Sequence, residues 1–234
     1  MERCPVIIVE GLIGSGKSTL TRELGTALDP HALVLMEPDE QQAANPYLAD
    51  YYGAADRWSF TMQMHMLGMR YRMHKLAQWH AMQGLGPAVL DRSYYGDTAF
   101  ARLQLRRGLM TKREFGTYRG IYHAMTASVL LPTVCVRVLV EPAACNARIA
   151  KRMESQTGRK CESAIDMDYL VGLEQEIDHM VGVLRSQGVA ILDMPWDMNR
   201  DTAEDRLAAV TSLSTRIMAM RPVDLFLDIH RRTL

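Results

Sequence analysis

Gly11-Leu-Ile-Gly14-Ser-Gly16-Lys17-Ser18 decides the fold of this chain. The stretch fits the pattern GxxxxGK[ST]. It follows a short apolar run, Val6–Val9, and opens a segment with helical character, Lys17–Leu28. Strand, glycine loop and helix in that order are the context that gives the pattern its meaning. The glycines let the backbone wrap with its N–H groups turned inward, and the following helix N-terminus adds partial positive charge, so the loop suits a chain of phosphates. With glycine at about 7% of residues in general, a chance match in a chain this long is on the order of one in a hundred. Gly11, Gly14, Ser15, Gly16, Lys17, Ser18 and Thr19 are therefore expected to hold the phosphates of a nucleotide such as ATP. Lys17 is expected at the β- and γ-phosphates and Ser18 at Mg²⁺.

Four further apolar, β-branched-rich runs follow Val6–Val9: Ala32–Met36, Ala88–Leu90, Val134–Val140 and Val189–Leu192. Their hydrophobicity is continuous rather than alternating, as in strands of a parallel sheet covered on both faces. Helical stretches separate them, which predicts an α/β fold with right-handed crossovers. The expected helices are Lys17–Leu28; a long region Tyr47–Met82, broken near Gly53; one opened by the capping-box pattern Thr111-Lys-Arg-Glu114 and running toward Leu130; Pro142–Met153; Met167–Ser186; and Thr202–Met220. Residues from about 152 to 163 form a polar stretch between two helices and are expected to act as an Arg-bearing lid. The segment from about 221 to 234 carries no clear pattern beyond its VDLFLDI run.

The chain has 234 residues, 48% hydrophobic and 23% charged, enough for one large domain spanning residues 1–234, and no linker argues for two. Lys plus Arg and Asp plus Glu both total 27, a balance that disfavours gripping a nucleic acid polymer or an anionic membrane and favours a small ligand met by local charges. Four cysteines without a CxxC pair indicate neither a zinc site nor a disulfide framework, and fit a reducing, cytoplasmic setting. No apolar stretch approaches the length of a membrane span, and the first residues lack a long apolar signal core. The seven histidines make no HxxxH or HExxH pattern and the 17 methionines read as flexible core filler. The phosphate loop alone leaves GTPases, motor ATPases and kinases open. Asn199-Arg200-Asp201 is not the guanine-reading NKxD of GTPases, and the size and basic lid favour a small-molecule kinase.

Four more segments resemble the deoxynucleoside kinase family, and its bacterial and viral deoxyadenosine, deoxyguanosine and deoxycytidine kinases most. They are Glu37-Pro38 after the second strand, Asn45–Arg70, Asp91-Arg92-Ser93 with Asp97, and Arg148–Leu170. With the phosphate loop they span about residues 6–170. The resemblance implies a P-loop NTPase fold with a five-stranded parallel sheet in the order 2-3-1-4-5 and helices on both faces. It makes Glu37 the general base on the 5′-hydroxyl and Arg92 a phosphate contact that also helps place the base. Asp91 holds the metal's waters beside Ser18.

Gln63 and Arg70 stand seven apart, two helical turns and about 10 Å, so they share a face on which an amide and a guanidinium can meet one planar base. Met66 and Leu67 lie between them as an apolar wall, and Asp97 can accept from an exocyclic amine. The family's base pocket matches Gln63, Arg70 and Asp97, with Trp58 in the same segment. Its sugar contacts match Tyr52, which Tyr51 could replace in the other register, and Glu162. Arg148 and Arg152, at i and i+4, project from one helix face at the head of the lid, with Arg159 beyond it. The interval from Arg152 to Arg159 is longer than the compact RxRxxE of the family.

The reaction these residues imply is ATP plus a deoxynucleoside giving the 5′-monophosphate and ADP, with an amine-bearing base preferred and Met66 adding bulk where a thymine methyl needs room. A nucleoside monophosphate kinase of the thymidylate type and a non-enzymatic nucleotide-binding regulatory subunit are the alternatives. The resemblance further implies a homodimer through the long helices, a role in nucleotide salvage and inhibition by an end-product triphosphate.

Overall fold

The structure, a computed structural model, describes residues 3–37, 45–155, 165–196 and 202–221. Five strands form one parallel sheet: β1 (Val6–Gly11), β2 (Leu33–Leu35), β3 (Ala88–Asp91), β4 (Val134–Leu139) and β5 (Ala190–Pro195). The order is β2-β3-β1-β4-β5, as the family resemblance implies. The described helices are α1 (Lys17–Leu28), α2 (Leu48–Gly53), α3 (Ala55–Met82), α4 (Asp97–Arg106), α5 (Lys112–Thr126), α6 (Pro142–Ser155), α7 (Met167–Ser186) and α8 (Ala203–Met218). None of them is long and apolar enough to cross a membrane.

The continuous apolar strands follow from burial on both faces. Ile7 and Val9 of β1 pack with Val89, Val136 and Leu192 against α1 and α8, through Leu20, Leu24, Val210 and Leu213. Ile8, with Leu90 and Cys135, faces the larger cluster under α3, α4, α5 and α7, built on Leu67, Leu103, Tyr122 and Leu173. All six residues of β1 are buried, and its C-terminal end delivers the phosphate loop to the edge of the sheet where ligands bind in open α/β folds.

The break between α2 and α3 falls at Ala54, whose backbone (φ −152°, ψ 70°) leaves the helical region next to Gly53. Thr111 and Glu114 complete a reciprocal capping box at the start of α5. Helix α6 runs two residues beyond Met153, so residues 152–155 of the expected lid are helical; the remainder, with Arg159 and Glu162, lies outside the described residues. Pro38 and the segment from 222 to 234 also lie outside them. Helix α4 was not expected. Its buried residues, Asp97, Thr98, Ala99, Ala101, Leu103 and Gln104, lie around most of its circumference, so it carries no clean amphipathic stripe.

His74 on α3 is a titratable group sealed in this core. It is 1% exposed; its Nε2 is 3.3 Å from the Leu130 carbonyl and its ring stands edge-on to Tyr95 at 5.3 Å. Burial pulls its pKa from 6.5 down to about 4. The unfolded chain therefore takes up a proton below pH 6.5 that the folded chain refuses until about pH 4. Stability is unaffected above that window and falls across it, by about 3 kcal/mol at the acid end. Urea unfolding followed through the window should show this decline, and His74→Gln should flatten it. An unchanged slope in the variant would show that other groups set the acid limit.

Candidate active site

The phosphate loop leaves β1 at Gly11 and enters α1 through Gly14 and Gly16, both left-handed (φ 78° and 90°). A β-carbon at Gly14 would stand 2.7 Å from the Cys145 carbonyl of α6, so the loop nests against that helix only without a side chain. No side chain caps α1, whose N-cap is Gly16, so its first N–H groups stay available to an anion. Lys17 is buried and its Nζ donates to the Leu12 carbonyl at 2.6 Å. Burial, with the Arg92 charge adding to it, lowers its pKa to about 8.

Ser18 donates to Asp91 Oδ2 at 2.5 Å. Asp91 is buried at the end of β3, and its Oδ1 has no hydrogen-bond partner among the described residues. A hydroxyl beside a buried, half-unsatisfied carboxylate fits a hydrated Mg²⁺, which keeps several waters and shares the substrate's phosphates. Among the described residues there is no group of three or more His, Cys, Asp or Glu placed to hold a metal ion. From α6, Arg148 reaches back to donate to the Ser15 carbonyl at 3.4 Å; Arg152 stands one turn further along the same helix.

Glu37, just after β2, is held between two guanidiniums. Arg70 of α3 bonds its Oε1, and Arg92 Nε donates to its Oε2 at 3.0 Å. Burial pushes the carboxyl up, but Arg70, Arg92 and Lys17 together outweigh it and hold Glu37 below the usual carboxylate range. Arg92 also donates to the Gly11 carbonyl at 3.1 Å. It is the non-glycine residue with positive φ, 65°, among those described, and is thereby turned off the end of β3 into the site.

Beneath Arg92 lies Glu10, fully buried, with one oxygen accepting from Ser93 Oγ at 2.6 Å and the other 4.0 Å from the guanidinium. Burial raises its pKa despite these neighbours. Gly96 closes this turn: a β-carbon there would stand 2.3 Å from Glu10 Oε1.

The base-reading residues expected from the sequence do meet. Asp97, the first residue of α4, is fully buried and accepts from Arg70 on Oδ1 and from Gln63 and Tyr118 on Oδ2, at 2.7 and 2.8 Å for the latter two. Burial raises its pKa more than these partners lower it. Met66, Trp58 and Tyr52 gather with Tyr51 and Met62 in a separate cluster over α2 and α3, where the Met66 Sδ also accepts from the Asn45 amide at 3.4 Å. Leu67 faces the main core instead, fully buried. Tyr51 is the more buried of the tyrosine pair, with Tyr169 and Gln104 beside its hydroxyl; Tyr52 is half-buried, 5.3 Å away ring to ring.

Three residues here were not expected from sequence. Phe100 lies under both guanidiniums, 5.1 Å from Arg70 and 4.7 Å from Arg92. Gln104 donates to Gln63 Oε1 at 3.0 Å. Glu10 is the third, and its signal was a lone charge in an otherwise apolar strand. Phe100 and Gln104 follow Asp97 at i+3 and i+7, a shared face that becomes visible once residues 97–106 are read as a helix.

A phosphate loop, a carboxylate between two arginines and a Ser–Asp pair at the sheet edge define a P-loop kinase. A family model described as "Deoxynucleoside kinase" matches residues 7–215. The chain is 30% identical over 192 residues to a deoxyguanosine kinase of Dictyostelium discoideum, covering 82% of this chain and 64% of that one. It is 34% identical over 165 residues to a deoxyadenosine/deoxycytidine kinase of Bacillus subtilis, covering 70% of each. It thus spans about two thirds of the length of these curated relatives. The fold superposes on a deoxyadenosine kinase from M. mycoides solved with bound dATP, with TM-score 0.70, 22% identity, and 89% and 98% of the two chains covered. The chain belongs to the deoxynucleoside kinase family, a family of phosphate-transferring enzymes.

Proposed function

We propose that this enzyme transfers the γ-phosphate of ATP to the 5′-hydroxyl of a deoxynucleoside whose base carries an exocyclic amine: deoxyadenosine, deoxyguanosine or deoxycytidine. The observation that carries the reading is the position of Glu37. A carboxylate at the sheet edge, kept ionised by Arg70 and Arg92 and close to the phosphate loop, can accept the proton of an attacking hydroxyl. It would repel a substrate that already bore a phosphate at that place.

On this reading Lys17, Arg92, Arg148 and Arg152 neutralise the transferring group, and the phosphate-loop glycines with Ser15, Ser18 and Thr19 cradle the nucleotide. Ser18 and Asp91 would hold the accompanying Mg²⁺, which offsets phosphate charge when bound. Gln63, Arg70 and Asp97 read the base, Met66 and Trp58 wall it, and Tyr52 lies toward the sugar. Glu162 is proposed for the sugar from the resemblance alone.

Initial rates of ADP release with Mg-ATP test the proposal, with the four deoxynucleosides, their ribose counterparts and the four deoxynucleoside monophosphates as acceptors. Turnover of an amine-bearing deoxynucleoside with monophosphates inert is the expected result. Turnover confined to monophosphates would refute it, and thymidine as best acceptor would refute the pocket argument.

A homodimer through the long helices is part of the same proposal. Leu76, Trp79 and Met82 stand about one turn apart on α3 and are 48, 57 and 51% exposed, an apolar stripe that such a contact would cover. Sedimentation at micromolar concentration should give twice the mass of one chain; a monomer would remove this part.

A further inference from the structure

Each arginine beside Glu37 has a second carboxylate of its own. Arg70 also bonds Asp97, and Arg92 also faces Glu10. Both of these further carboxylates are fully buried. Glu10 uses its two oxygens differently. Oε1 accepts from Ser93 Oγ at 2.6 Å, and Ser93 Oγ in turn accepts from the Gly96 amide at 3.0 Å, so the carboxylate is fixed under the turn that carries Arg92. Oε2 has no hydrogen-bond partner among the described residues and lies 4.0 Å from Arg92 Nη1, which donates to the Gly11 carbonyl. A charge-assisted bond between such groups closes at about 2.8 Å, so a shift of about 1 Å in Arg92 would make it. Burial disfavours the Glu10 charge, while Arg92, the Ser93 bond, Arg70 and Lys17 favour it. An apolar residue would fill this place on β1 without that cost, so a buried carboxylate with an idle oxygen calls for a role.

We propose that Glu10 is a positioning residue for the transfer step: the reserve counter-ion that holds Arg92 at the reacting centre once Glu37 has taken up a proton. The inference rests on the proposed deoxynucleoside kinase reading. In that step the 5′-O–H bond breaks, its oxygen bonds the γ-phosphorus as the bond to ADP breaks, and the proton goes to Glu37. Glu37 then loses the charge that held both guanidiniums. Arg70 keeps Asp97, and Arg92 keeps Glu10, whose idle oxygen can take up Nη1. Without the Glu10 charge, Glu37 is the one ion-pair partner left to Arg92 among the described residues. Arg92 would then hold the ionised form of Glu37 more tightly, and Glu37 would be a weaker base.

The test measures kcat, both KM values and the melting temperature of Glu10→Gln, with Mg-ATP and the best deoxynucleoside. The amide keeps an acceptor for Ser93 and removes the charge. Turnover should fall roughly tenfold, with each KM within about twofold of the wild type. The melting temperature should hold or rise, because a buried amide costs less than a buried carboxylate. In the Glu37→Gln background the same change should lower kcat by less than about twofold further, since no base remains to be weakened. Glu10→Asp draws the charge back by one methylene and serves if the amide variant does not fold; its smaller loss should likewise disappear in the Glu37→Gln background. Undiminished kcat in every folded Glu10 variant overturns this inference and leaves the proposed function standing. A loss of the same size in both backgrounds, or one that follows a fall in melting temperature, also overturns it, since it marks a merely structural role. A wild type with no deoxynucleoside-dependent turnover removes the proposed function and this inference together.

Discussion

Glu37→Gln should lower kcat by about 10²–10⁴-fold while leaving binding of both ligands measurable, the range over which a positioned base contributes. The carboxylate sits between Arg70 and Arg92, accepting from each on a different oxygen. An amide can accept from one guanidinium, but its NH2 then faces the other, so the substitution removes the proton acceptor and misaligns both arginines. Calorimetry with ATP and with the best deoxynucleoside separates the two effects, since a lost base moves kcat and a disrupted pocket moves affinity. The pH profile adds an independent check. Because the two arginines and Lys17 hold the Glu37 pKa below its ordinary 4.5, the acid limb of kcat/KM should lie below that value in the wild type. Unchanged turnover in the variant would take Glu37 out of the mechanism.

The parts of this molecule legible in the sequence are those whose chemistry is local. The phosphate loop is eight contiguous residues with a fixed conformational demand, and helix α1 begins and ends where its pattern does, at Lys17 and Leu28. The parallel sheet was readable because two-sided burial leaves a continuous apolar run, as in Val6–Val9. Gln63 and Arg70 were readable as a pair because helical spacing aligns them, and both do bond Asp97. Helix α4 was not legible. A ten-residue helix buried round most of its surface shows neither a stripe nor a length that distinguishes it from a strand, and with it went Phe100 and Gln104. Glu10 was missed for a different reason. Its role depends on Ser93 and Arg92, more than eighty residues away, meeting it across two paired strands.

Arg92→Lys should lower kcat by about 10²–10³-fold although it conserves charge. Arg92 occupies the left-handed region at φ 65°, a conformation that costs a side-chain-bearing residue about 1–2 kcal/mol. Lysine pays the same backbone cost, so the comparison isolates the guanidinium. That group performs three tasks at once: Nε donates to Glu37 at 3.0 Å, a terminal nitrogen donates to the Gly11 carbonyl at 3.1 Å, and the plane lies over Phe100 at 4.7 Å. A single ammonium cannot span a carboxylate on one side and the phosphate-loop carbonyl on the other, so it leaves at least one of them unmet and lets the loop and the base drift apart. Initial rates with the melting temperature measured alongside decide the matter. A fall in kcat at an unchanged melting temperature assigns the loss to the planar fork at the reacting centre. Retention of most of the activity would mean that a point charge suffices, and would make Arg92 chiefly a tie between the phosphate loop and Glu37.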